Sequence, residues 1–112
     1  MSDTLKQKHC AACEGIGSPL NAEQIENLLP QLNNDWHLIN NTAAIKRSFA
    51  FKNFYETMAC VNAIAWIANT ENHHPDLEIG YNYCHVKFIT HALNGLSFND
   101  FICAAKIDAL FT

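Results

Sequence analysis

Residues 53–69, NFYETMACVNAIAWIAN, carry the strongest helical pattern in the chain and decide how the rest is arranged. Asn53 is a favourable N-terminal cap, and apolar residues recur behind it at helical spacing. Apolar side chains also occupy the other faces, and a helix that is apolar nearly all round is buried on more than one side. Because so short a chain can hardly cover both sides, we expect part of this helix to pack against another subunit, in a homodimer or a homotetramer.

Two strands are predicted on each side of this helix. Before it, residues 36–51 have the pattern of two strands around the turn NNT at 40–42. After it come LEIGYN at 77–82, with Gly80 as a bend, and YCHVKFIT at 83–90. Each pair is typical of an antiparallel hairpin.

One further helix is predicted at each end of the domain. Residues 21–32 have helical spacing, but Pro30 should kink the last turn or end the helix before it. Residues 98–111 form an amphipathic helix that Ser97 can cap. The order α-β-β-α-β-β-α predicts an α+β sandwich, in which a four-stranded antiparallel sheet carries the helices on one face.

The composition is that of one globular domain. At 112 residues the chain can bury a core without staples, and we place the domain at 21–112, after a flexible N-terminal arm at 1–20. Lys+Arg 7 against Asp+Glu 11 leaves a formal charge of -4, which argues against direct nucleic-acid binding. No apolar run approaches the roughly 20 residues that span a bilayer, and the polar start lacks a signal-peptide core. We therefore expect a cytoplasmic protein with no membrane partner.

The five cysteines favour a reducing compartment. Cys60, Cys84 and Cys103 lie in apolar, periodic segments, where a free thiol behaves as a small hydrophobic group. Cys10 and Cys13 have the CxxC spacing of half a zinc site or of a redox motif, but no second CxxC follows. A metal role, a redox role and an ordinary N-terminal segment all remain open for this pair.

Four of the six histidines lie between residues 71 and 100. Pro75 favours an extended backbone at His74, so that His73 and His74 point to different sides. His91 ends the fourth predicted strand, near the place where the third strand begins, and the three imidazoles can therefore converge on one sheet edge. Imidazole changes protonation between about pH 5 and 8, which suits proton transfer, although metal binding or a merely structural role is also possible.

The residues around these histidines resemble the signature of the pterin-4a-carbinolamine dehydratase family. The resemblance runs without a gap from His73 to Asp100 and covers about three quarters of the chain. The shared residues are HHP at 73–75, Tyr81-Asn82, His85, Thr90-His91, Gly95-Leu96-Ser97 and Asp100, with Leu28-Leu29-Pro30, Trp36, FAF at 49–51 and Phe54 upstream. The CxxC arm resembles extensions of some bacterial members.

This resemblance implies the same α+β sandwich and an enzyme that dehydrates 4a-hydroxytetrahydropterin to quinonoid dihydropterin. Such enzymes regenerate the cofactor of aromatic amino acid hydroxylases, so a pterin substrate and a hydroxylase partner are implied, with no metal or other cofactor. The family's three active-site histidines correspond to His73, His74 and His91. We expect His74 to act as acid at the C4a hydroxyl, and His73 and His91 to act as base and pterin-positioning groups.

Three more residues are candidate substrate-binding groups by the same resemblance. Trp36 would wall the pocket, or else belong to the core or a subunit contact. Thr90 would hydrogen-bond the pterin ring, or else only end its strand. Asp100 is expected to support the cap of the last helix or to orient His91. His85, in mid-strand, is expected to be a packed or hydrogen-bonded histidine.

Asn69 departs from the family pattern, because many members carry a glutamate there, and the nearest carboxylate in this chain is Glu71. We expect an altered pH optimum or rate, with dehydration retained. Two other functions remain open. The mammalian family member also serves as a dimerisation cofactor of a homeodomain transcription factor, which makes 53–69 a candidate protein-binding surface. A histidine- and CxxC-based metal-binding protein is the third possibility.

Overall fold

Among the residues that the structure describes, three α-helices and four strands follow one another in the predicted order. The computed structural model describes residues 4–11, 18–39 and 43–111, so Cys13 and the predicted turn at 40–42 lie outside the described residues. The predicted α+β class is confirmed. The elements are α1 (Ala22–Leu28), β1 (His37–Ile39), β2 (Ala44–Ala50), α2 (Phe54–Glu71), β3 (Asp76–Ile79), β4 (Tyr83–Phe88) and α3 (Phe98–Ala109).

The four strands form one antiparallel sheet in the order β1-β2-β4-β3. Along the central strand β4, side chains alternate between the two faces of the sheet. Cys84, Val86 and Phe88 are buried, while Tyr83 is exposed and His85 is half-buried. The buried face of β4 thus lies in the same core as α2 and α3, which places the ends of both helices beside the end of this strand.

Local sequence signals set the helix boundaries. Asn21 and Gln24 cap each other's backbone at the start of α1, and the Asn53 side chain accepts the Glu56 N–H at the start of α2. At Pro30 the helix gives way to a 3₁₀ turn, Leu29–Gln31, as expected for a residue that has no N–H to donate.

Helix α2 is buried on one face only within this chain. The core face carries Cys60, Val61, Ile64 and Ala68. Two large apolar residues remain exposed on the other side: Tyr55 is 85% exposed and Trp66 is 74% exposed.

The N-terminal segment, which we define as residues 4–11, packs on the domain, whereas the sequence predicts a flexible arm there. It contains a 3₁₀ turn, Leu5–Gln7, whose Leu5 side chain is buried in the core. The Lys106 ammonium of α3 donates to the Lys6 carbonyl at 2.9 Å. Within the described part of the chain, no helix is long and apolar enough to cross a bilayer.

Candidate active site

A cavity of about 390 Å³ lies where the end of α2, the residues after β4 and the start of α3 meet. His73, His74 and His91 all line it. The two adjacent histidines follow α2 directly, because Asn72 ends the helix in the left-handed conformation and Pro75 then begins the approach to β3. The topology therefore brings the three imidazoles to one place.

His73 is held by a buried carboxylate. Its Nε2 lies 2.7 Å from Oδ1 of Asp100, and the Asp100 side chain is fully buried. The His73 ring also stacks on Phe88, with parallel planes and centroids 6.0 Å apart. A hydrogen-bonded carboxylate fixes both the tautomer and the orientation of an imidazole, and Nδ1 of His73 has no hydrogen-bond partner among the residues that the structure describes.

The second oxygen of Asp100 is also fully occupied. Oδ2 accepts the Thr90 hydroxyl at 2.8 Å and the Ser97 N–H at 2.9 Å. The hydroxyl oxygens of Thr90 and Ser97 also lie 2.6 Å from each other. The expected capping role of Asp100 is thus seen in the geometry. The histidine that it contacts is His73, however, and not His91 as the sequence suggested.

His74 and His91 present free imidazoles to the cavity. Strand β4 ends at Phe88, so His91 begins a 3₁₀ turn (His91–Leu93) rather than ending the strand. Both side chains are exposed, and neither imidazole has a hydrogen-bond partner among the residues that the structure describes. All their ring nitrogens are therefore open to a ligand.

Two other candidates lie elsewhere. Trp36 is buried in the core against Phe88, and its Nε1 donates to Asp108 at 2.7 Å. It is not among the described residues that line the cavity, which corresponds to the alternative of a core indole. His85 lies on the other face of β4 and pairs with the Ser48 hydroxyl at 2.7 Å, as expected for a hydrogen-bonded strand histidine.

Thr90 does line the cavity, but its hydroxyl already contacts Asp100 and Ser97. In this arrangement it supports the carboxylate that holds His73.

Glu71 is a buried carboxylate at the cavity rim, with only 4% of its side chain exposed. Burial by itself would raise its pKa. The Cys10 N–H at 2.7 Å, the His9 imidazole at 2.9 Å and the nearby Lys106 ammonium nevertheless hold the pKa of Glu71 below its usual value. Asn69, where the resemblance led us to expect an effect on the pH optimum or rate, is exposed on α2.

The cysteines do not assemble a metal site within residues 4–11, 18–39 and 43–111, where no group of three or more potential ligands is found. Cys10 Sγ lies 3.5 Å from Cys103 Sγ. The hydrogen bond with Cys10, together with burial, raises the pKa of the Cys103 thiol.

Most of the chain matches a known protein family. The family model described as pterin 4 alpha carbinolamine dehydratase matches residues 18–110. The chain belongs to the pterin-4a-carbinolamine dehydratase family. A relative from Legionella pneumophila (strain Lens), named "Putative pterin-4-alpha-carbinolamine dehydratase", is 72% identical over 98% of this chain and 97% of its own.

Solved structures of related proteins have the same fold. A "transcriptional coactivator/pterin dehydratase" from Brucella melitensis is 30% identical, with a TM-score of 0.77 over 83% of this chain and 98% of its own. A "pterin dehydratase-like protein" described as a RuBisCO assembly factor in the alpha-carboxysome is 23% identical, with a TM-score of 0.60 over 70% of this chain and 90% of its own. At 23% identity, the similarity between this second structure and our pterin dehydratase family member concerns the fold alone.

Sequence reasoning missed part of the cavity lining of this family member. Cys10, Ala11 and Asn99 also line it, and Glu71 was noticed only as the carboxylate nearest to Asn69. Asn99 lies in the first turn of α3, and its spacing from the histidines carries no signal. Only the folded contacts connect these residues.

Proposed function

We propose that this chain dehydrates 4a-hydroxytetrahydropterin to quinonoid dihydropterin by proton transfer from and to imidazoles. In this reaction the C4a hydroxyl takes up a proton and leaves as water, while N5 gives up its proton and forms a double bond to C4a. The observation that carries the proposal is the meeting of three histidines in one cavity of a pterin dehydratase family member. Acid and base must both reach one substrate, and only a shared cavity permits this.

The surroundings of each histidine favour different roles. His74 has both ring nitrogens available and is our candidate for the acid at the C4a hydroxyl. His73 offers only Nδ1, in an orientation that Asp100 fixes, which suits a base or a positioning group at N5. His91 is the other candidate for that role, since its imidazole faces the same cavity.

The deciding experiment follows the loss of 4a-hydroxytetrahydropterin absorbance with wild-type protein treated with a chelator. We expect faster dehydration than in buffer alone. Activity that requires added metal would instead favour the metal-binding alternative. Full turnover by a variant carrying both His73→Ala and His91→Ala would contradict acid-base catalysis by this cluster. We further propose that the substrate comes from an aromatic amino acid hydroxylase, a link that coupled turnover with such an enzyme would test.

The exposed face of α2 supports a second proposal, that two or four copies of the chain associate through it. Tyr55 and Trp66 provide large apolar side chains there, and burying them against an identical helix would remove them from water. The same face supports the alternative of a protein-binding module, a role in keeping with the Brucella protein's description as a coactivator. Light scattering distinguishes these possibilities: a monomer at micromolar concentration contradicts self-association, and Trp66→Glu should dissociate an oligomer built on this face.

A further inference from the structure

The N-terminal segment, residues 4–11, precedes the family-matched residues 18–110 and yet reaches the histidine cavity. Its first part is anchored by the buried Leu5 side chain and by the contact between Lys106 and the Lys6 carbonyl. From there the N-terminal segment passes α3 and reaches the cavity, where Cys10 and Ala11 form part of the lining.

Two polar side chains of the domain hold this end of the segment. Glu71 accepts the Cys10 N–H at 2.7 Å and contacts the His9 imidazole at 2.9 Å. Asn99 makes a two-way contact with Ala11: its Oδ1 accepts the Ala11 N–H at 3.0 Å, and its Nδ2 donates to the Ala11 carbonyl at 2.6 Å. The segment is therefore fixed by directed hydrogen bonds on both sides of the cavity rim.

Glu71 and Asn99, the two side chains that hold this end of the segment, are both buried. The Glu71 side chain is 4% exposed, and Asn99 is 5% exposed. A buried carboxylate that loses its hydrogen-bond donors is costly, because the cavity does not solvate it as bulk water would. The rim of the cavity is thus built to receive the segment.

Given the dehydratase function proposed above, we propose that residues 9–11 form a wall of the pterin site and that Glu71 acts as a positioning residue by holding that wall. The Cys10 and Ala11 amides are already used by Glu71 and Asn99, so the segment offers the bicyclic ring a contact surface rather than new donors. Its loss should weaken substrate binding and leave the proton transfers of bound substrate nearly unchanged.

The test displaces the segment without touching the cavity. Leu5→Asp places a charge in the buried anchor, and Leu110→Asp places the same charge at an exposed leucine of the same protein. For Leu5→Asp we expect KM to rise roughly four- to fifteenfold, the loss of one or two methylene equivalents of contact, with kcat nearly unchanged. Leu110→Asp should match the wild type.

Amide hydrogen exchange reports directly whether the segment has left its place. The Cys10 and Ala11 amides should be protected in the wild type and should exchange rapidly in Leu5→Asp. If Leu5→Asp loses this protection and still has the KM of the wild type, the proposal that residues 9–11 form a wall of the pterin site is contradicted. A fall in kcat with KM unchanged would also contradict it.

A second pair of variants keeps the test decisive if Leu5→Asp does not fold. Glu71→Ala should raise KM in the same way, and Glu71→Gln should largely restore it, because the amide oxygen can still accept the Cys10 N–H. Equal KM in Glu71→Ala and the wild type, with the Cys10 amide unprotected, would again overturn the wall.

Wild-type turnover separates this inference from the proposed function. If the wild type does not dehydrate the substrate, the dehydratase proposal fails. The proposal that residues 9–11 form a wall of the pterin site is then tested by measuring the affinity of each variant for 7,8-dihydropterin. A weaker affinity in Leu5→Asp supports it, and an unchanged affinity overturns it.

Discussion

Nε2 of His73 lies 2.7 Å from Oδ1 of Asp100, although 27 residues separate them in the chain. The other oxygen of the same carboxylate accepts the Ser97 N–H at the start of α3. One buried side chain thus begins a helix and orients an imidazole of the candidate active site.

These two tasks can be separated by Asp100→Asn. The amide oxygen of asparagine can still accept the Thr90 hydroxyl and the Ser97 N–H, so the start of α3 should be retained, whereas its NH₂ group would oppose the His73 tautomer that the carboxylate selects. We expect kcat to fall at least about tenfold. The measurement is the absorbance assay beside thermal unfolding, with Asp76→Asn as an exposed control. Wild-type kcat in Asp100→Asn would mean that His73 needs no carboxylate.

Substitution of the cavity histidines should reduce dehydration selectively. His74→Ala is expected to lose at least about tenfold in kcat, since it removes the proposed proton donor. His85→Ala is the matched control, because that imidazole lies on the opposite face of β4 and pairs with Ser48. Equal losses in the two variants would point to general destabilisation rather than to catalysis.

The sequence predicted the architecture well because its signals are local. The cap at Asn53, the proline at 30 and the alternation along 83–88 each act within a few residues, and together they fix the element order. The resemblance to the family also directed attention to the three histidines that line the cavity.

The contacts between distant residues could not be predicted in the same way. Asp100 was expected to support the cap of the last helix or to orient His91, and the histidine that it contacts is instead His73, which precedes β3. Trp36 was expected either at the pocket or in the core, and the contact that fixes it in the core is the hydrogen bond from its indole to the half-buried Asp108. The docking of Cys10 on Glu71 joins residues 61 positions apart and leaves no pattern in the sequence.

Glu71 should make the fold sensitive to acid. Its pKa in the folded protein lies below the ordinary value, so the ionised form stabilises the fold above that ordinary value, and the contribution is lost as the pH falls through the folded pKa. Near neutral pH, Glu71→Gln should cost about 1–3 kcal/mol in the free energy of unfolding, because the charged partner of His9, Cys10 and Lys106 is gone.

Denaturant unfolding of the wild type and Glu71→Gln across a pH series checks this sign. The difference between the two proteins should shrink in acid. A difference that grows as the pH falls would contradict a lowered pKa, and Glu26→Gln, at an exposed position of α1, controls for net charge.

The thiols should differ in how readily they oxidise. Diamide, a two-electron oxidant, should join Cys10 to Cys103, whose sulfurs lie 3.5 Å apart, and each thiol would lose its proton as the diamide is reduced to the hydrazine. The reaction should be slow, because the pKa of Cys103 is raised. Mass spectrometry of tryptic peptides detects the bond, and Cys13→Ser ensures that the cross-linked residue is Cys10.

Cys60 and Cys84 provide internal controls in the same digest. Both are buried; burial, with a contribution from Cys84, raises the pKa of Cys60 to about 11, and burial also raises that of Cys84. At about pH 8 they should resist iodoacetamide until the protein unfolds, because the thiol rather than the thiolate is present. Early alkylation of either would mean that the sheet opens near β4.

Few substitutions of Asp100 should be tolerated, because any replacement must both accept the Ser97 N–H at the start of α3 and orient His73. The stretch from Cys10 to Ala11 is restricted in another way, because Glu71 and Asn99 bind its main-chain atoms. Relatives could therefore carry other side chains at these two positions and vary the lining of the cavity while the three histidines keep their places.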